Sequence, residues 1–186
     1  MPDVSPSRST GAPRDLPAAA PAPADGDAFR RTLRHVPSPV VLVTTLAADG
    51  PRGATMGSFA SVSLAPPLVS FNVQDGSRLY TALERGGAFA VQLLADTQAA
   101  VADHFATPGL SGAEQFEPFA HTTGPHSLSL VDGALATLVC LPHAWWPAAD
   151  HAVVAGRVEQ IVPGTDGDPL LWYARGYRSV GPARAR

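Results

Sequence analysis

Four small hydroxyls lie close together in RGATMGSFASVSLAPPLVSFNV, Arg52 to Val73: Thr55, Ser58, Ser61 and Ser63. The stretch is otherwise apolar enough for buried strands. A buried hydroxyl without a hydrogen-bond partner costs about 1–3 kcal/mol, so these four need partners. Two arrangements supply them. In one, Ser61 and Ser63 share a solvent-facing side while Thr55 and Ser58 lie in a turn. In the other, the segment lines a polar small molecule. Gly53 and Gly57 would then let the backbone approach a flat ring or a phosphate closely. Physical chemistry alone stops at a small-molecule site.

Other reactive residue types are sparse. The single cysteine, Cys140, sits in the apolar run ALATLVC and reads as a buried strand thiol; alone, it has no intramolecular disulfide partner. No paired carboxylates and no Ser-His-Asp pattern stand out. His35, His104, His121, His126 and His143 show no metal-ligand spacing. His151, in AADH, follows a turn and begins a strand, so it can face an open cleft. Ser77 opens a short helix, where free N–H groups and the helix dipole favour an anion; a plain helix cap is the equal alternative. A net charge of -3 argues against a polyanion-binding surface. The chain has no lysine, so arginine is its only cation besides histidine. No apolar run reaches the roughly 18 residues of a membrane span. The N-terminus lacks the pattern of a signal peptide, and a cytoplasmic setting is expected.

The elements that must carry these residues follow from pattern. Residues 1–25 are rich in Pro, Ala and Ser and read as a disordered arm. A domain is expected over residues 26–182. DAFRRTLRHV spaces Phe29, Leu33 and Val36 as on a helix, with an aspartate as cap and Pro37 and Pro39 beyond its end. Val40–Ala47 reads as a strand and Ala48–Gly53 as a hairpin turn. One strand is expected up to about Leu64 and another over Leu68–Val73. A short helix follows Ser77, then a strand over Ala88–Leu94 and a helix capped by Asp96. Residues 107–127 read as loop. Ala134–Trp146 and His151–Val162 read as two long strands. Tight turns between successive strands predict antiparallel pairing, in a mainly β fold with flanking α: a β-barrel with helices packed outside it.

Several pieces, in order, resemble the flavin reductase family with an FMN-binding split-barrel fold. GATMGSFASVSLAPPLVSFNV is similar to its Gly-x-Thr-x-x-Ser-Phe-x-Ser-Val-Ser run leading into Pro-Pro-Leu-Val. SRLYTAL, GAFAVQLLADTQAAVADHFA, VDGALATLVC, GRVEQI and PLLWYARGYRSV continue in register, so the resemblance spans about residues 27–180. It implies a split barrel of antiparallel strands and an NAD(P)H:flavin oxidoreductase, with FMN or FAD as flavin and NADH or NADPH as hydride donor. It also implies a homodimer, and reduced flavin passed to a partner monooxygenase. The same likeness implies that Thr55, Met56, Gly57 and Ser58 contact the flavin and that Ser61, Val62 and Ser63 continue the wall. It places a phosphate near Ser77, Phe105 near the ring and His151 beside the nicotinamide, with Arg178 near a nucleotide phosphate. Trp145 and Trp146 read as core or dimer contact. Two positions depart from the pattern. Ala149 replaces the glycine usual before Asp-His, and Gln115 replaces a common basic residue before Phe116. If that basic residue holds a phosphate, Arg52, Arg78 or Arg85 must substitute. A split-barrel oxidase or oxygenase with tightly bound FMN, or a flavin-binding protein without turnover, are the alternatives.

Overall fold

A computed structural model describes residues 24–181. The arm expected over residues 1–25 lies outside them except for its last two residues. Asp25 caps the first helix, α1 (Gly26–Leu33), its Oδ2 accepting from the Ala28 N–H at 2.8 Å. Strands β1 (Ser38–Pro39), β2 (Val41–Ala47), β3 (Gly50–Met56), β4 (Ala60–Leu64) and β5 (Pro67–Gln74) follow. Helix α2 (Arg78–Glu84), strand β6 (Phe89–Leu93) and helices α3 (Ala99–Phe105) and α4 (Gly112–Phe116) come next. The short β7 (His121–Thr123) and β8 (Ser129–Val131) precede the long β9 (Ala136–Ala148) and β10 (His151–Pro163). A hairpin of β11 (Leu171–Tyr173) and β12 (Gly176–Arg178) closes the described chain.

Seven strands form one antiparallel sheet in the order β3-β2-β6-β9-β10-β5-β4. Its two outer strands are consecutive in the chain, joined only by Gly57–Phe59. Four Cα steps span at most about 14 Å. A flat sheet would hold those edges about 29 Å apart, at about 4.8 Å per strand spacing. The sheet therefore curls until β3 and β4 approach each other, without ladder bonds between them. This is a split barrel, as the sequence led us to expect. Its interior is filled by Val41, Val43, Val69, Phe71, Val73, Phe89, Val91 and Val154, and Leu79 and Leu83 of α2 pack into the same core.

A second core lies outside the barrel. Leu42 and Leu94 pack there against Val101, Ala102 and Phe105 of α3 and Phe116 of α4. Strand β2 is thus buried on both faces, which explains its unbroken β-branched run.

Three expectations change. Arg52 to Leu64 forms two strands, because the chain turns at Gly57–Phe59 to reach the opposite edge of the sheet. Asp96 does not cap the helix after β6. Instead the Gln98 side chain accepts from the Ala95 N–H at 3.0 Å and donates to Asp132 O at 2.9 Å. Residues 107–127 contain α4 and β7 rather than loop alone, since Ser111 and Glu114 cap each other's backbone.

Candidate functional site

The site is built where β3 ends. Gly53 brings α3 hard against this strand: a Cβ there would lie 2.8 Å from the Phe105 ring. The close approach lets Thr55 Oγ1 donate to Ala102 O at 2.7 Å. Farther along, Asp103 of α3 and its C-cap Ala106 then border the space beyond Met56 and Gly57. The opposite wall comes from far away in sequence. Strand β1 pairs with β11, placing Ser38 opposite Trp172, and β11 pairs with β12, placing Tyr177 beside that indole. The Trp172 and Tyr177 rings meet edge to face at 5.0 Å. Tyr177 donates its hydroxyl to Asp103 Oδ1 at 2.8 Å, tying the hairpin to α3. Partial burial and this carboxylate raise the Tyr177 phenol to about 12.

Together these groups enclose a cleft of about 360 Å³. Its walls are mostly apolar, from Val40, Met56, Ala106 and Trp172, with hydroxyls of Ser38, Thr55 and Tyr177 and the Asp103 carboxylate at the rim. That donor set fits a flavin ring, which is flat and apolar at its centre and polar along one edge. Gly57 contributes backbone only. A Cβ there would meet Ser38 Cβ at 3.6 Å and Pro39 O at 3.9 Å, both ordinary contacts.

Of the residues expected from sequence, Thr55, Met56 and Gly57 line this cleft. Ser58 instead pins the link between the barrel edges: its Oγ accepts from the Asn72 N–H at 2.9 Å. Ser61, Val62 and Ser63 lie on β4, the open edge of the sheet; Ser61 and Val62 face solvent, and the Ser63 hydroxyl accepts from the Ala65 N–H. Phe105 is buried beneath Gly53, 5.0 Å from the Phe116 ring, as core rather than cleft wall. Ser77 caps α2 by accepting from the Tyr80 N–H at 3.1 Å. Arg178 donates to Tyr177 O at 2.7 Å. Trp145 packs edge to face on Tyr80, whereas Trp146 is 40% exposed.

His151 opens β10, paired with Gln74 of β5 and Ala148 of β9. Its Nδ1 lies 2.9 Å from Asp150 Oδ1. That hydrogen bond, reinforced by the imidazole's charge when protonated, holds the Asp150 carboxyl below its usual range. Donation from Nδ1 to the carboxylate leaves Nε2 free to meet a ligand. The turn before it holds Ala149 at φ +54°, the conformation a glycine would adopt without cost.

The two departures from the family pattern thus have separate structural consequences. Gln115 is buried and clasps Gly53 from both sides: its Oε1 accepts from the Gly53 N–H at 3.1 Å and its Nε2 donates to Gly53 O at 2.9 Å. Its amide replaces the strand that β3 lacks on that edge. Sequence reading missed Ser38, Asp103, Trp172 and Tyr177. The pairing of β1 with β11 spans most of the chain, and no local pattern announces it. The two aromatic rings near the C-terminus were the one available signal.

A family model described as flavin reductase like domain matches residues 33–181. The reductase component of 4-hydroxyphenylacetate 3-monooxygenase from Thermus thermophilus is 39% identical over 154 residues, covering 83% of this chain and 96% of its own. An NADH-dependent flavin reductase from Rhodococcus sp. is 34% identical, covering 82% and 85%. Among solved structures, the NADH:FAD oxidoreductase of Streptomyces globisporus C-1027, in complex with NAD and FAD fragments, superimposes with a TM-score of 0.78. It is 31% identical, and the match covers 85% of this chain and 94% of that one.

Proposed function

This chain belongs to the flavin reductase family, and from that membership we propose that it is an NAD(P)H:flavin oxidoreductase supplying reduced FMN or FAD to a partner monooxygenase. The observation that carries the reading is the cleft at the end of β3, where the Thr55–Gly57 segment faces the edge-to-face pair of Trp172 and Tyr177. A flavin held there would supply the redox chemistry, accepting a hydride from a reduced nicotinamide.

The protein's own part is binding and orientation, and no acid or base is required of it. Thr55, with its proton committed to Ala102 O, keeps its lone pairs for a ligand N–H. Gly57 lets the backbone come close to a ring. Val40, Met56 and Trp172 exclude water from one face. Asp103 fixes the Tyr177 hydroxyl, so the hairpin presents a constant surface. His151, steadied by Asp150, is not among the residues that line this cleft; in this reading its Nε2 meets the nicotinamide. Hydride transfer depends on such alignment, with donor and acceptor carbons or nitrogens within about 3–3.5 Å.

Ser61, Val62 and Ser63 serve the site only if a second chain covers β4. That strand is bonded on one side alone, and it exposes Val62 and, at 92%, Leu64. The protein is therefore a homodimer in this reading, with flavin near the interface. No described helix is long and apolar enough to cross a membrane.

The test is steady-state oxidation of NADH and NADPH by purified protein, with FMN, FAD or riboflavin added or omitted. Oxidation that depends on added flavin and saturates with it is expected. Absence of turnover with every pair would overturn the proposal.

A further inference from the structure

Asp103 is the one charged residue on the wall of the cleft; the rest are apolar, hydroxyl-bearing or glycine. Its side-chain partner is neutral: Oδ1 accepts from the Tyr177 hydroxyl at 2.8 Å, and Oδ2 has no partner among the described residues. No arginine or histidine among those residues lies within ion-pair distance of it. The two cationic types beside the pair are engaged elsewhere. His104, next in the chain, has Nε2 at 2.9 Å from Glu114 O, and Arg178, next to Tyr177, donates to Tyr177 O at 2.7 Å. The cleft thus carries a negative charge that no neighbouring side chain offsets. The Tyr177 hydroxyl holds that carboxylate in place, so the charge is fixed before a ligand arrives.

Hydride transfer changes the charge of a flavin ring. The hydride leaves with its electron pair: a C–H bond of the nicotinamide breaks and an N–H bond forms on the flavin. NAD(P)H is oxidised to NAD(P)+, and the neutral flavin ring is reduced to an anion that water protonates later. We propose that Asp103 is a specificity-determining residue, which lowers the affinity of the cleft for the anionic reduced flavin relative to the neutral oxidised one and so favours release of the product. The inference rests on the flavin reductase reading, with the ring in this cleft. Like charges repel, and the repulsion acts on the reduced ring alone. Asp103 is exposed, so solvent screening keeps the effect modest.

Anaerobic equilibrium titration with oxidised and with chemically reduced flavin reads both affinities without turnover. It uses whichever of riboflavin, FMN or FAD binds tightest, in mildly alkaline buffer where the reduced ring is anionic. Any phosphate is the same in both forms and cancels from their ratio. Asp103→Asn keeps an oxygen for the Tyr177 hydroxyl and removes the charge. It should shift the ratio about fivefold toward the reduced form, which for a two-electron couple raises the midpoint potential of the bound flavin by about 20 mV. Tyr177→Phe keeps the charge and removes the hydrogen bond, and should leave the ratio within about twofold. In the unmodified protein, added salt should shift the ratio the same way as Asp103→Asn, a result that needs no variant to fold. A ratio that neither Asp103→Asn nor salt moves by about twofold, while oxidised flavin still binds, overturns the inference and leaves the reductase reading intact. An equal shift in Tyr177→Phe overturns it too, since positioning rather than charge then sets the ratio. If none of the three flavins binds, the reductase reading fails and the inference fails with it.

Discussion

At Gly57 the absence of a side chain serves the cleft and not the packing, because a Cβ there meets nothing closer than 3.6 Å. Gly57→Val should therefore leave thermal stability within about 2–3 °C of the parent, as for most substitutions that break no packing. It should weaken flavin binding at least about tenfold by filling the space a ring needs. Calorimetry beside fluorescence titration reads both. Ala149 is the converse case, a side chain carried at φ +54° where none is wanted. The left-handed conformation costs a non-glycine residue about 1–2 kcal/mol, and glycine's greater freedom when unfolded returns part of that. Ala149→Gly should stabilise the protein by about 0.5–1 kcal/mol in urea unfolding. Because the same turn aims His151, a changed KM for NAD(P)H would link that strain to the site.

Strand β3 shows how one element is held at an edge of a sheet. Its inner neighbour is β2; on the outer side Gly53 is bonded by Gln115 alone. Gln115→Ala would strand a buried N–H and a carbonyl, and should cost about 2–3 kcal/mol. A lowered denaturation midpoint with unchanged m-value would register it. The β11–β12 hairpin is held differently, by the Tyr177 hydroxyl on Asp103. The phenol titrates at about 12 folded against an ordinary 10, so the folded state keeps a proton that the unfolded state loses. Its share of stability is intact below about pH 10 and is lost as the pH rises toward 12. Tyr177→Phe should flatten that part of the alkaline limb. Cys140, raised to about 12 by burial, contributes in the same window, so the comparison belongs in a Cys140→Ala background.

For the molecule as a whole, the split barrel leaves β4 unpaired on one side. An edge that exposes Leu64 and Val62 invites pairing with another chain. Light scattering should give twice the 19.2 kDa of one chain. Leu64→Asp should shift the protein toward single chains; if the proposed contact of Ser61, Val62 and Ser63 with flavin is made at the dimer interface, flavin binding weakens with it. A single-chain mass for the unmodified protein would overturn the dimer. Helix α1 adds a second exposed apolar face, with Phe29 58% and Leu33 47% exposed.

The sequence by itself determined the family and the longer local elements, though not the break at Gly57–Phe59 or α4 and β7 within residues 107–127. Alternation and β-branched runs marked β2, β6, β9 and β10, and tight turns implied antiparallel order, because these signals act over a few residues. The run Thr55–Gly57 was legible for the same reason, as a short string of residue types in fixed spacing. Tertiary structure decided which hydroxyls border the cleft. Thr55 does, whereas the Ser58 and Ser77 oxygens accept from backbone N–H groups away from its walls. It also decided that Gln115 is a strand's missing partner and that Ser38, Asp103, Trp172 and Tyr177 meet across most of the chain. Such meetings depend on how a curled sheet returns to its own beginning, and that closure is a property of the whole chain.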